Sequence, residues 1–183
     1  MTPSQQTISF TGITHKELVE AAYKWLVKNG SVGVVFKELK SCAIEIPDVI
    51  GFDSWQSVLI ECKASRSDFF ADKKKAHRST FKGMGNWRFY CCPKGMIQVN
   101  ELPPRWGLIY IDEAGKGRVE YDCRRKTIAS PELAHLGPDF KTRIVRADEN
   151  KFEVDQEEER RIMYSALRRL FLRGHMKEIY KMP

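Results

Sequence analysis

Apolar positions along the chain recur in two periods, and the places where one gives way to the other mark out the elements. Over residues 14–29, Leu18, Ala22, Trp25 and Leu26 fall on one helical face. Ahead of them Thr14-His15-Lys16-Glu17 has the form of a capping box, in which Thr14 and Glu17 each satisfy a free backbone donor. Asn29-Gly30 supplies the stop. Residues 31–39 carry Val32, Val34, Val35 and Phe36, a β-branched run that predicts a strand. Val49, Ile50 and Phe52 predict a second strand and Val58, Leu59 and Ile60 a third, with the polar residues 53–57 turning the pair into a hairpin. A helix is expected to open near Asp68 behind a Ser65 or Ser67 cap. It would bury Phe69 and Phe70 and turn Asp72, Lys73, Lys74 and Lys75 to solvent.

Residues 87–92 are apolar and aromatic, the pattern of a buried central strand ended by Pro93. Residues 106–111 read as a further strand, and the polar turn at 112–117 leads into 118–121 as a hairpin. Trp87, Tyr90 and Trp106 read as core, with base stacking as the alternative. Residues 124–150, with Ser130-Pro131, Gly137-Pro138 and scattered charge, read as a long irregular excursion. The stretch 155–173 is an amphipathic helix with acids first, arginines last and Gly174 to close it. Its apolar face of Ile162, Met163, Ala166, Leu167, Leu170 and Phe171 is expected either to pack on the sheet or to meet a partner, as in a homodimer. The sum is an α/β (α+β) chain: a leader over 1–13, a core over 14–123 and a C-terminal extension over 124–183.

At 183 residues the chain fits one ordinary domain. No apolar run approaches the ~20 residues of a membrane helix, and no basic-then-apolar leader is visible, so a cytoplasmic protein without a membrane partner is expected. Five cysteines, an odd number without CxxC spacing, point to reduced thiols. A net charge of +7 favours a polyanionic partner.

The chemistry concentrates around the central hairpin. Strand alternation puts Glu61 and Lys63 on one side and Cys62 on the other, with Asp48 at the mouth of the preceding strand. Asp48, Glu61 and the Cys62 backbone carbonyl are hard oxygen ligands suited to Mg2+ or Mn2+. Lys63 would orient or deprotonate an attacking water, or stabilise charge developing on a phosphate. Glu38, at the end of the preceding strand, could approach as a third carboxylate, whereas Glu45 reads as a loop residue. His15 reads as exposed.

Pro47-Asp48 followed by Glu61-Cys62-Lys63 resembles the signature of the PD-(D/E)xK nuclease superfamily. The run from Glu61 through Ser65, Arg66, Asp68 and Phe69 to Asp72 and the lysines is similar to the MmcB-like group of bacterial and phage proteins associated with DNA repair. So are Gly83-Met84-Gly85-Asn86-Trp87 and Glu101-Leu102-Pro103-Pro104-Arg105-Trp106. The similarity spans roughly residues 38–111. The resemblance implies a restriction-endonuclease-like αβββαβ core with a mixed central sheet flanked by helices. It also implies an acid from the first helix, for which Glu17 and Glu20 are the candidates beside their readings as cap and solvated residue. Ser65 and Asp68 would support the site from behind, Asp68 by pairing with Arg66 or Lys63. Arg66, Lys73, Lys74, Lys75, His77, Arg78 and Lys82 form the densest basic patch and the candidate phosphate-binding surface. The expected function is a Mg2+- or Mn2+-dependent nuclease acting on DNA. The alternative is a binding module on the same fold, with Lys63 in a structural ion pair.

Overall fold

A computed structural model describes residues 12–29, 31–73, 83–129 and 142–181. Helix α1 (His15–Asn29) is followed by strands β1 (Val34–Lys37), β2 (Val49–Phe52) and β3 (Ser57–Cys62), helix α2 (Arg66–Lys73), and strands β4 (Trp87–Pro93), β5 (Trp106–Ile111) and β6 (Gly117–Tyr121). The six strands form one mixed sheet in the order β1-β2-β3-β4-β5-β6. Its centre is parallel, β3 with β4 and β4 with β5, and the outer pairings are antiparallel. The protein is thus an α+β chain with a mixed sheet flanked by helices.

The predicted local signals act as expected. The Glu17 amide donates to Thr14 Oγ1 at 3.3 Å and the Thr14 amide to Glu17 Oε2 at 2.7 Å, closing the capping box of α1. Asp53 Oδ1 accepts from the amides of Trp55 and Gln56 at 2.6 and 2.8 Å and makes the turn between β2 and β3. Strand alternation divides the core. Val49, Val58, Ile60, Cys62, Phe89, Cys91 and Ile109 pack with Leu18, Ala22, Trp25 and Leu26 of α1. On the opposite face Ile50, Leu59, Tyr90, Cys92 and Leu108 pack with Phe69 of α2 and with Phe152 and Ile162. Trp87, Tyr90 and Trp106 are at most 1% exposed, which makes them core. All five cysteines are free and four of them are buried.

Three expectations need correction. Residues 124–150 are not wholly irregular: β7 (Arg125–Ala129) and β8 (Thr142–Arg146) pair antiparallel as a separate ribbon. Its short, charged strands bury too little to show a strong period, and the pairing supplies the missing term. Helix α2 starts at Arg66 rather than near Asp68, because Ser65 Oγ accepts from the Asp68 amide at 3.2 Å. Within it Phe70 is 41% exposed while Asp72 is 1% exposed, the reverse of the expected faces. Ile13, just ahead of α1, packs against the α1 face of the core.

The C-terminal helix α3 (Gln156–Leu172) is capped by Asp155, which accepts from the amides of Glu157 and Glu158. Only Glu159 and Ile162 are buried along it, so its first turns pack on the core and Met163, Leu167, Leu170 and Phe171 stay on the surface. Among the described residues no helix is long and apolar enough to cross a membrane.

Candidate functional site

Asp48, Glu61 and Lys63 meet at one end of the β2–β3 hairpin. Val49 lies opposite Ile60 in the antiparallel register, so the residue before β2 and the end of β3 are brought side by side. The Cys62 amide donates to Asp48 Oδ2 at 2.7 Å. This bond fixes the carboxylate against the backbone whose carbonyl was expected as a ligand. Lys63 Nζ lies 3.5 Å from Glu61 Oε2. Glu61 and Lys63 are 7% and 5% exposed, and they look into a cavity of about 350 Å³. His15, Glu45, Asp48 and Asp68 line it with them, and Ile44 and Ile46 complete the wall.

The cavity is acid-rich in a basic chain: four carboxylates face one lysine and one histidine. Burial pushes the Asp48 carboxyl above its ordinary value of 3.8. The Cys62 amide and the charges of His15 and Lys63 work in the other direction, and Glu38 adds to the rise. Burial acts to lower the Lys63 pKa, but the carboxylates of Glu61, Asp72, Asp68 and Asp48 outweigh it and raise the pKa. The charged amine this favours fits orienting a water and stabilising charge on a phosphate.

Two residues enter the site against expectation. His15 is exposed as expected, yet its Nε2 is 3.4 Å from Asp48 Oδ1 and 4.0 Å from Glu38 Oε1. Glu38 thus reaches the rim through His15. Asp72 of α2, expected in solvent, places Oδ1 3.4 Å from Lys63 Nζ and accepts from the Tyr90 hydroxyl through Oδ2 at 2.9 Å. Its spacing of three from buried Phe69 is the signal that could have found it. His15 carried no such signal, because its contact is with a residue 33 positions along the chain.

The other candidates have different partners. Glu17 is part of the α1 cap and Glu20 pairs with Lys37, so neither first-helix acid is brought to the cavity. Ser65 is a cap, while Asp68 lies on the cavity wall and acts on Lys63 as a charge. Arg66 pairs with Glu101 and donates to the Met96 carbonyl at 2.7 Å, with its side chain 46% exposed. Lys73 Nζ donates to the Glu101 carbonyl at 2.7 Å. Lys74, Lys75, His77, Arg78 and Lys82 lie outside the described residues.

Among the described residues no three His, Cys, Asp or Glu side chains form a ready-made metal site. The donor set is not that of a four-ligand structural zinc site. Two carboxylates at one polar cavity do suit Mg2+ or Mn2+, hard ions that take oxygen and retain waters. The raised Asp48 pKa marks a carboxyl that a cation would stabilise in its charged form.

No protein-family model and no curated protein matches the chain. A solved structure, a protein of unknown function from Silicibacter pomeroyi, is similar at 20% identity and a TM-score of 0.49, over 72% of this chain and 85% of that one.

Proposed function

We propose that the protein is a divalent-metal-dependent nuclease that hydrolyses DNA phosphodiester bonds, on a core of the restriction-endonuclease-like type. The observation that carries this reading is the excess of carboxylates around charged Lys63 in the cavity formed by Asp48 and Glu61, in a chain of net charge +7. Carboxylates gathered around a single ammonium group repel one another, and a cation brought with the substrate or before it offsets that repulsion. Asp48 and Glu61 would hold Mg2+ or Mn2+, which supplies Lewis-acid polarisation and a more acidic bound water. Lys63, held as the ammonium ion, orients the attacking water or a phosphate oxygen and stabilises the charge that develops on the phosphate. His15 stays beside the Asp48 oxygen not used by the Cys62 amide and sets its direction.

The second reading, a binding module without cleavage, is favoured by one observation. Lys63 lies within 3.5 Å of Glu61 and 3.4 Å of Asp72, the geometry of a structural ion-pair cluster. Cleavage of single-stranded, duplex, flapped and nicked DNA with Mg2+, Mn2+ or chelator separates the two. For the nuclease, metal-dependent cutting falls by on the order of 10³ in Asp48→Ala and Lys63→Ala while DNA binding persists. Binding without cutting in either metal, with substitutions that alter stability alone, sinks the nuclease reading.

A further inference from the structure

We infer that Asp72 is a positioning residue for Lys63, and that it keeps the ammonium group in place when Glu61 turns to a metal ion. The inference rests on the metal-dependent reading of the site. Asp72 is 1% exposed, and its two oxygens serve two elements: Oδ1 faces Lys63 Nζ just beyond β3 at 3.4 Å, and Oδ2 accepts from Tyr90 of β4 at 2.9 Å. Tyr90 is itself fixed, stacked on Trp106 with ring centroids 4.4 Å apart and edge-on to Phe69 at 5.1 Å. Phe69 is fully buried one helical turn before Asp72, so the same helix face that anchors α2 delivers the carboxylate. Aromatic packing thus sets the tyrosine, the tyrosine sets the carboxylate, and the carboxylate sets the lysine.

Among the described residues Glu61 is the other acid in an ion pair with Lys63, and it is one of the two carboxylates that would bind the metal. A cation on Glu61 weakens its hold on the lysine and adds a repulsion between like charges. The cavity wall includes Glu61 and Lys63 but not Asp72, which approaches the amine from behind. The Asp72 contact therefore survives metal binding, and Lys63 remains aimed at the cavity.

The test is the order of the Lys63 ε-methylene by NMR with 13C-labelled lysine, in the full chain without metal or DNA, beside cleavage kinetics with Mg2+. Order is expected to persist in Glu61→Gln, to fall in Asp72→Asn to that of an exposed lysine, and to fall partway in Tyr90→Phe. In cleavage, Asp72→Asn lowers kcat about 10- to 100-fold with KM moved less than about threefold, as for a displaced group that acts in the transition state. Lys63 order unchanged by Asp72→Asn, or lost equally in Glu61→Gln, overturns the inference whatever the cleavage result. If Asp72→Asn does not fold, Tyr90→Phe removes a single oxygen and carries the same readout. A wild type that cuts no DNA while Lys63 order follows the expected pattern removes the nuclease reading and supports the hold of Asp72 on Lys63.

Discussion

The two ends of the β2–β3 hairpin each hold a carboxylate that burial drives above its ordinary pKa, and they are built for different ends. At the turn end, Glu159 of α3 accepts from Ser57 Oγ at 2.6 Å and from the Gly85 amide at 2.9 Å, both on Oε1. Gly85 adopts φ +84, and a Cβ there would come within 2.4 Å of Leu59, so only glycine presents its amide in this way. Arg88 donates to the Gly85 carbonyl at 3.1 Å and lies over the Phe152 ring at 4.0 Å, with Arg105 also over that ring at 4.1 Å. At the other end, Asp48 takes the Cys62 amide, and its further neighbours are charged side chains around a polar cavity. Short bonds to neutral donors with a nearby arginine make Glu159 a fastening between α3 and the sheet. An excess of acid facing a cavity is the feature on which the proposed metal-dependent reading of the Asp48 end rests.

If this contrast holds, substitutions at the two ends should damage different properties. Asp48→Asn should lower any metal-dependent cleavage by on the order of 10³. Phe152→Ala, which removes a buried ring that both guanidinium groups lie over, should cost about 3–4 kcal/mol in denaturant unfolding and leave metal affinity unchanged. Glu159→Ala leaves the Ser57 hydroxyl and Gly85 amide without their acceptor and should cost about 2–3 kcal/mol. Glu159→Gln keeps an acceptor oxygen and removes the charge, so it tests the pKa directly. Burial raises the Glu159 pKa above 4.5, against the Ser57 and Gly85 bonds and the Arg88 charge. Its contribution to stability is therefore full below 4.5 and is lost as pH rises through the raised value. Wild type should accordingly lose stability relative to Glu159→Gln over that window, by at most about 1.4 kcal/mol per pH unit. The smallest effect should be on the stability of Asp48→Asn, within about 1 kcal/mol of wild type, because the amide oxygen can still accept from Cys62. A large stability loss there with no loss of cleavage would reverse the contrast.

The features legible in the chain are those encoded over a few residues. The alternation that separates Glu61 and Lys63 from Cys62, the Thr14–Glu17 cap, the Asp53 turn and the central apolar strands follow from local sterics and hydrogen bonding, and each was readable before the fold. So was the convergence of Asp48 with Glu61 and Lys63, because a hairpin with a short turn leaves little freedom of register. The lysines that flank Asp72 dominate the local pattern and point it outward, whereas its burial depends on Tyr90, reached only when β4 lies beside β3. His15 meets Asp48 because α1 packs on the sheet. Glu159 meets Ser57 and Gly85 across 102 and 74 residues. The ribbon of β7 and β8 is held by pairing across residues that carry no strong period of their own. Local periodicity was enough to lay out the strands of the central sheet and to bring the three charges together. Which neighbours those charges keep, and so which carboxylate fastens the fold and which faces a cavity, depended on contacts between distant segments, because burial and electrostatic partners are properties of packing and not of order along the chain.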